Sequence, residues 1–186
     1  LFLARRDLAS VIAGAAADDQ PPLYYALLHL WQRIGDSPFI ARFLSVIISM
    51  LVVAMAYALA RRLLSPRAAR NAALLTAFAP FQIYHAQEIR MYALLALTLL
   101  AYVHSLSSFA KQGQDRELRE LATISLSAAL ALYTHNLAVF TLAAANVYFL
   151  LRRDGRALKR LLFAQAIAVL LFLPWLVNLP AQLAKI

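Results

Sequence analysis

The sequence lacks cysteine altogether, which excludes a disulfide framework and a thiolate metal site. Its glycines are only four, Gly14, Gly35, Gly113 and Gly155, and all fall in predicted loops, so none builds a glycine packing motif within a span. Nothing resembles a phosphate-binding glycine loop, a Ser-His-Asp arrangement or a thiol nucleophile. No internal repeat is visible. Acidic residues are scarce, 9 against 18 Lys and Arg, but the resulting charge of +9 does not point to nucleic acid. The basic residues gather in short loops between apolar runs, where orientation signals belong, and not along one face or stripe.

What the sequence has in abundance is apolar length. Of its 186 residues 63% are hydrophobic and only 15% charged, far from the roughly 25% charged of a soluble domain. Charge-free windows cover Phe43 to Ala60, Ala72 to Gln87, Met91 to Ala110, Leu121 to Leu151 and Leu161 to Ile186, the last broken only by Lys185. Each is near or beyond the length that crosses a bilayer. The fold class expected is all-α, a polytopic transmembrane helix bundle forming one domain over 1–186. No charged segment with a hydrophobic stretch and cleavage site precedes the spans, and the chain reads as a fragment that starts upstream of Leu1 and continues past Ile186.

Residues 1–36 are expected to lie along the membrane interface. Leu1 to Ala13 has the pattern of a short interfacial helix, and Gly14 to Gln20 that of a polar turn. A second short helix starts at Pro21 or Pro22 and ends near Gly35. Leu23 to Ile34 would measure about 18 Å, too short to span, and Tyr24, Tyr25 and Trp31 suit the headgroup level. Ser37 before Pro38 is a helix cap that opens the first full span, and about six crossings follow over 37–186. The run from Leu121 to Leu151 would reach about 46 Å as one helix, so it is split at Tyr133-Thr134-His135-Asn136. The basic clusters at Arg61 to Arg70, Lys111 to Arg119 and Arg152 to Arg160 are then all cytoplasmic. Asp18, Asp19, His85, Glu88, Arg90, His135, Asn136 and Asn178 fall together on the outer side.

The stretch from Ala79 to Leu94 is the most unusual, because it sets His85, Gln87, Glu88 and Arg90 between two long apolar runs. Charges at a membrane boundary are costly and mark a site by default. Pro80 removes a backbone hydrogen bond just before them and lets the chain bend or unwind. Arg90 can grip a phosphate with two parallel hydrogen bonds, and Glu88 can accept a proton or bind a hard cation. The bland alternative is a structural Glu-Arg pair or an interfacial anchor, with Tyr92 as packing. Asp18 and Asp19 could bind a metal or activate a hydroxyl, or be solvated loop residues. His85 and His135 suit hydrogen bonding better than metal ligation, since their spacing defines no metal site. His29 and His104 look structural, and Arg33 and Arg42 are expected to snorkel toward the outer headgroups.

Three ordered blocks carry a resemblance. They are Asp-Gln-Pro-Pro-Leu-Tyr-Tyr-Ala-Leu-Leu-His-Leu-Trp at 19–31, Phe-Ile-Ala-Arg-Phe-Leu-Ser at 39–45, and the stretch Ala79 to Leu94 with its Gln-Glu-x-Arg-x-Tyr core. Together they resemble the multi-pass C-type glycosyltransferases, a group that includes protein O-mannosyltransferases and the lipid A aminoarabinose transferase. The resemblance implies inverting transfer of a sugar from a polyprenyl-phosphate carrier to the hydroxyl of a lipid, glycan or protein acceptor at the outer face. It also implies an integral protein of a bacterial inner membrane, with its site on the periplasmic or extracellular side and no nucleic-acid partner. By position it assigns Asp19, Asp18 and Glu88 to catalysis, and Arg90, His85, Gln20 and Gln87 to the donor phosphate. Tyr24, Tyr92, His135 and Asn136 become substrate contacts, and a divalent cation at Asp19 and Glu88 an optional cofactor. Gln20 stands where the family often has His or Lys. The family's Asp-Glu pair after its first transmembrane helix would precede Leu1, so the resemblance implies that this chain lacks the main catalytic Asp. Outside that resemblance, the same polar cluster would suit a transporter or lipid flippase, or a non-catalytic membrane subunit.

Overall fold

The computed structural model describes residues 7–17, 20–107 and 117–177, and among these there are helices and turns but no strand. The order is α1 (Leu8–Ala17), α2 (Leu23–Trp31), α3 (Pro38–Leu63), α4 (Pro66–Phe78), α5 (Pro80–Gln87), α6 (Tyr92–Leu106), α7 (Glu117–Thr134), α8 (Ala138–Leu151) and α9 (Gly155–Leu176). The protein is an all-α membrane helix bundle. α3 and α9 are long and apolar enough to cross a bilayer singly, while α6 and α8 are shorter apolar helices.

Local chemistry explains most of the ends. The Ser37 hydroxyl accepts from the Ile40 N–H, with Pro38 at the first helical position, so the cap falls where the sequence places it. The Ser65 hydroxyl repeats this on Ala68, with Pro66 in the first turn, and Asp154 caps Ala157. The Asp7 carboxylate accepts from both the N–H and the hydroxyl of Ser10 and so opens α1. Here the structure departs from expectation. Gly14 to Ala17 continue the helix instead of turning, because three alanines follow the glycine and alanine is the strongest helix former. Gly155 likewise begins α9 instead of lying in a loop. The apolar run after Leu121 is divided at His135, as the sequence requires.

The bundle is built around α6. Its Ala93, Leu94 and Leu97 pack with Tyr24, Leu28, Ala41, Leu44 and Ile48 of α2 and α3. Its Leu95, Leu99, Tyr102, Val103 and Leu106 form a second stripe that joins α7, α8 and α9. Against it lies a seam in which alanines alternate with large apolar side chains. α9 turns Ala157, Leu161, Ala164, Ala168, Phe172 and Trp175 inward at helical spacing, facing a core that holds Ile124, Ala128 and Ala131 of α7. The large side chains Phe163, Leu170 and Leu171 of α9 point out. The inward alanines Ala157, Ala164 and Ala168 let the helices approach closely, as helices pack in lipid, where close approach and not water exclusion holds them together.

One polar knot interrupts this core. Gln165 of α9 donates from Nε2 to the Tyr102 hydroxyl (2.8 Å) and to the Leu142 carbonyl (3.2 Å), and its Oε1 accepts from Asn146 Nδ2 at 2.9 Å. It thereby ties α9 to α6 and α8. At the end carrying the basic loops, Arg62 meets His104 (3.3 Å) and Arg160 reaches Glu117 and Glu120 at 3.2 and 3.4 Å. Replacing Gln165 by Leu removes three interhelical bonds and leaves Tyr102 and Asn146 partnerless. At roughly 0.6 kcal/mol per bond the loss is about 2 kcal/mol. Unfolding in detergent micelles measures it, and a loss under about 0.5 kcal/mol, the level of an inert surface change, would mean that the knot holds nothing.

Candidate functional site

The bend expected near Pro80 falls at Ala79, whose extended backbone (φ −64°, ψ 124°) ends α4 and begins α5 with Pro80 in its first turn. α5 lasts two turns and then unwinds. Glu88 is extended (φ −91°, ψ 145°), and the chain bends through Ile89 and Arg90 before α6 begins at Tyr92. The stretch lies at the end of the bundle opposite Arg62 and Arg160, beside the turn that joins α7 to α8.

The unwound segment and its neighbours gather polar groups. His85 Nδ1 lies 3.1 Å from Glu88 Oε2, with side-chain exposures of 12% and 28%, so the pair is sheltered but reachable. The Tyr84 hydroxyl also lies beside the Glu88 carboxylate. His85 is held edge-on by Phe81 at 4.3 Å and lies 4.6 Å from the ring of Tyr92, which in turn is 6.1 Å from His135. Arg90 is exposed, and its guanidinium is held above its ordinary pKa by the Tyr92 hydroxyl beside it and, less strongly, by Glu88 and Tyr25. It is therefore a permanent cation next to an acid–imidazole pair. Such a group can bind a phosphate while the pair holds or passes a proton.

His135 sits in the turn and accepts the Leu137 N–H at Nδ1, 3.1 Å away. That bond leaves Nε2 as its N–H donor, and burial pushes its pKa below the ordinary imidazole value. Asn136 is exposed in the same turn. The structure thus brings His85, Glu88, Arg90, Tyr92 and His135 into one cluster with Asn136 at its edge.

Other expected site residues lie elsewhere. Tyr24 is fully buried in the core that α2 and α3 share with the start of α6, its hydroxyl 3.1 Å from Ser45 Oγ, and burial pushes the phenol up to about 12. It is a pin between α2 and α3 with no face exposed to a substrate. Its neighbour Tyr25 is the one close to Arg90, which the sequence does not distinguish. Gln87 follows His85 by two residues, about 200° around the helix, and lines a groove with Phe39, Arg42, Phe43 and Val46 of α3. Gln20 closes its backbone N–H on Ala15, while its side-chain oxygen is buried without a partner among the described residues. Asp18, Asp19 and Asn178 lie outside the described residues. Among the described residues no three His, Asp or Glu converge as metal ligands, and Asp19, expected with Glu88 at a cation, lies outside them.

The state of His135 gives a pH dependence. Above its ordinary value of 6.5 the imidazole is neutral folded or unfolded. As pH falls the unfolded chain takes the proton first, so stability drops until pH passes the lower, folded value. The thermal midpoint in detergent should fall more steeply between about pH 7 and 5 for the wild type than for His135→Asn, whose oxygen can still accept the i+2 N–H without titrating. Parallel curves for the two proteins would contradict this.

The family model described as dolichyl-phosphate-mannose-protein mannosyltransferase matches this chain over residues 19–177. No curated protein and no solved structure matches it.

Proposed function

The chain belongs to the dolichyl-phosphate-mannose-protein mannosyltransferase family, and from that premise we propose that it transfers a sugar from a polyprenyl-phosphate carrier to an acceptor hydroxyl at the outer face of the membrane. Membership makes it a membrane glycosyltransferase of the mannosyltransferase type. The observation that carries the finer reading is the convergence of His85, Glu88, Arg90, Tyr92 and His135 at the end of the bundle away from the basic loops. Since basic loops stay cytoplasmic, this end faces outward.

In the proposed reaction a carboxylate takes the proton of the acceptor hydroxyl as its oxygen attacks the anomeric carbon. The bond from that carbon to the carrier phosphate breaks on the opposite side, with inversion, and polyprenyl phosphate leaves with the electron pair. Arg90, held beside Tyr92, meets the negative charge that grows on the departing phosphate. His85, oriented through Nδ1 by Glu88, presents its other nitrogen to the same region. Asp19, with Asp18 beside it just ahead of Pro21-Pro22, and Glu88 are the carboxylates of this chain that we assign to catalysis. The unwound backbone at 88–91 gives these groups a place at the membrane boundary that a continuous helix would not.

In the full-length protein, Arg90→Ala should reduce turnover with a polyprenyl-phosphate sugar about 10²-fold, as expected when a transition-state donor is lost. Glu88→Gln keeps the shape and removes the charge, and should cost at least about 10². Transfer of radiolabelled sugar to the acceptor fraction measures both. Unchanged rates in the two variants would remove this site from the reaction.

A further inference from the structure

α5 has two polar faces, and the second remains unexplained by the reaction. His85 looks toward Tyr92 and the α7–α8 turn. Gln87, about 200° away, looks toward the outer part of α3. There it lines a groove of about 470 Å³ with Phe39, Arg42, Phe43 and Val46. The α3 residues recur at i, i+3, i+4 and i+7 and so form a single stripe. Phe39 and Phe43 stack at 5.9 Å with ring planes 16° apart and are 72% and 43% exposed. On a helix long and apolar enough to cross a bilayer, such exposed rings are suited to lipid. Arg42 is exposed and, among the described residues, has no hydrogen bond or ion pair, and Gln87 has no hydrogen bond. Arg42 stands about 6 Å along α3 from Pro38, within reach of the headgroup level for a long side chain.

A guanidinium without an ion pair among the described residues, above an exposed apolar stripe, calls for an anion with a hydrocarbon tail. We propose that the groove seats an anionic phospholipid of the leaflet at this end of the bundle. Its phosphodiester lies on the Arg42 guanidinium and the Gln87 carboxamide, and one acyl chain runs over Phe39, Phe43 and Val46. One cation and one neutral donor match the single charge of a phosphodiester. The site is back to back with the His85–Glu88 cluster, so its occupant is not the reacting donor. It is a lipid that clamps α5 to α3, beside the direct bond from Gln82 Nε2 to the Ser49 carbonyl at 3.4 Å. The inference stands independently of the transferase reading, since it concerns lipid binding alone.

The test is native mass spectrometry of the full-length protein released from nanodiscs of equal phosphatidylglycerol and phosphatidylcholine. Wild type should retain one phosphatidylglycerol in preference to phosphatidylcholine. Retention should fall about tenfold in Arg42→Ala, the value of one charge-assisted contact, and less in Arg42→Lys, which keeps the charge but loses the fork. Arg33→Ala, at another exposed arginine of the same end, should retain the lipid fully. Equal retention of the two lipids, undiminished retention in Arg42→Ala, or equal loss in Arg33→Ala would overturn the proposal. Displacement of phosphatidylglycerol by equimolar polyprenyl phosphate would overturn it too, by making the groove a carrier site.

Discussion

A backbone that leaves the helix must find partners for its N–H and C=O groups, and hydrocarbon offers none. The break at Ala79–Pro80 and the unwound stretch from Glu88 to Met91 are therefore tolerable only at the bundle's end, where water, headgroups and side chains can serve. Pro80 has no N–H to leave unpaired, so it makes the first interruption cheap. α5 is the short segment left between the two interruptions. Its shortness aims His85 into the cluster and Gln87 out of it, and the unwinding lets Glu88 fold back on His85 while Arg90 stays exposed beside Tyr92. A single straight helix over 66–106 would separate these groups along its axis by 1.5 Å per residue and could not turn the chain back toward α7.

The scaffold serves this geometry through two different kinds of contact. On the side of α2 and α3, burial of Tyr24 against Ser45 and the Trp31 indole bond to the Ile40 carbonyl (2.8 Å) fix the short second helix over the start of α3. On the other side, the alanine seam of α9 with α7 and the knot at Gln165 fix the turn that presents His135. α6 belongs to both halves, which is why Tyr92 at its start can touch His85 on one side and approach His135 on the other.

Much of this was legible from residues alone because it depends on local chemistry. Ser37 and Pro38 mark a helix start, Pro80 marks a break, and the long neutral run after Leu121 has to turn somewhere, with His135 and Asn136 its most polar point. The cluster itself follows from charges that do not belong between apolar runs. What stayed hidden depends on which helix lies next to which. Gln165, Asn146 and Tyr102 are far apart in the chain and unremarkable one by one, and only the fold makes them a network. Gly14 reads as a turn because Asp18, Asp19 and Pro21 follow closely, while the three alanines directly after it carry the helix on. Gln87 is the instructive case, since the 100° step per residue already separates it from His85, and proximity in sequence obscured that.

The Gln165 knot bears on how the molecule is assembled. A glutamine side chain entering lipid without partners carries an uncompensated desolvation cost. Its partners here, the Tyr102 hydroxyl, the Leu142 carbonyl and the Asn146 amide, all belong to helices made before α9 emerges from the ribosome. α9 therefore joins a bundle whose acceptors and donors are already waiting. The order of synthesis and the order of hydrogen bonding coincide, and α9 docks into a prepared site instead of searching for one.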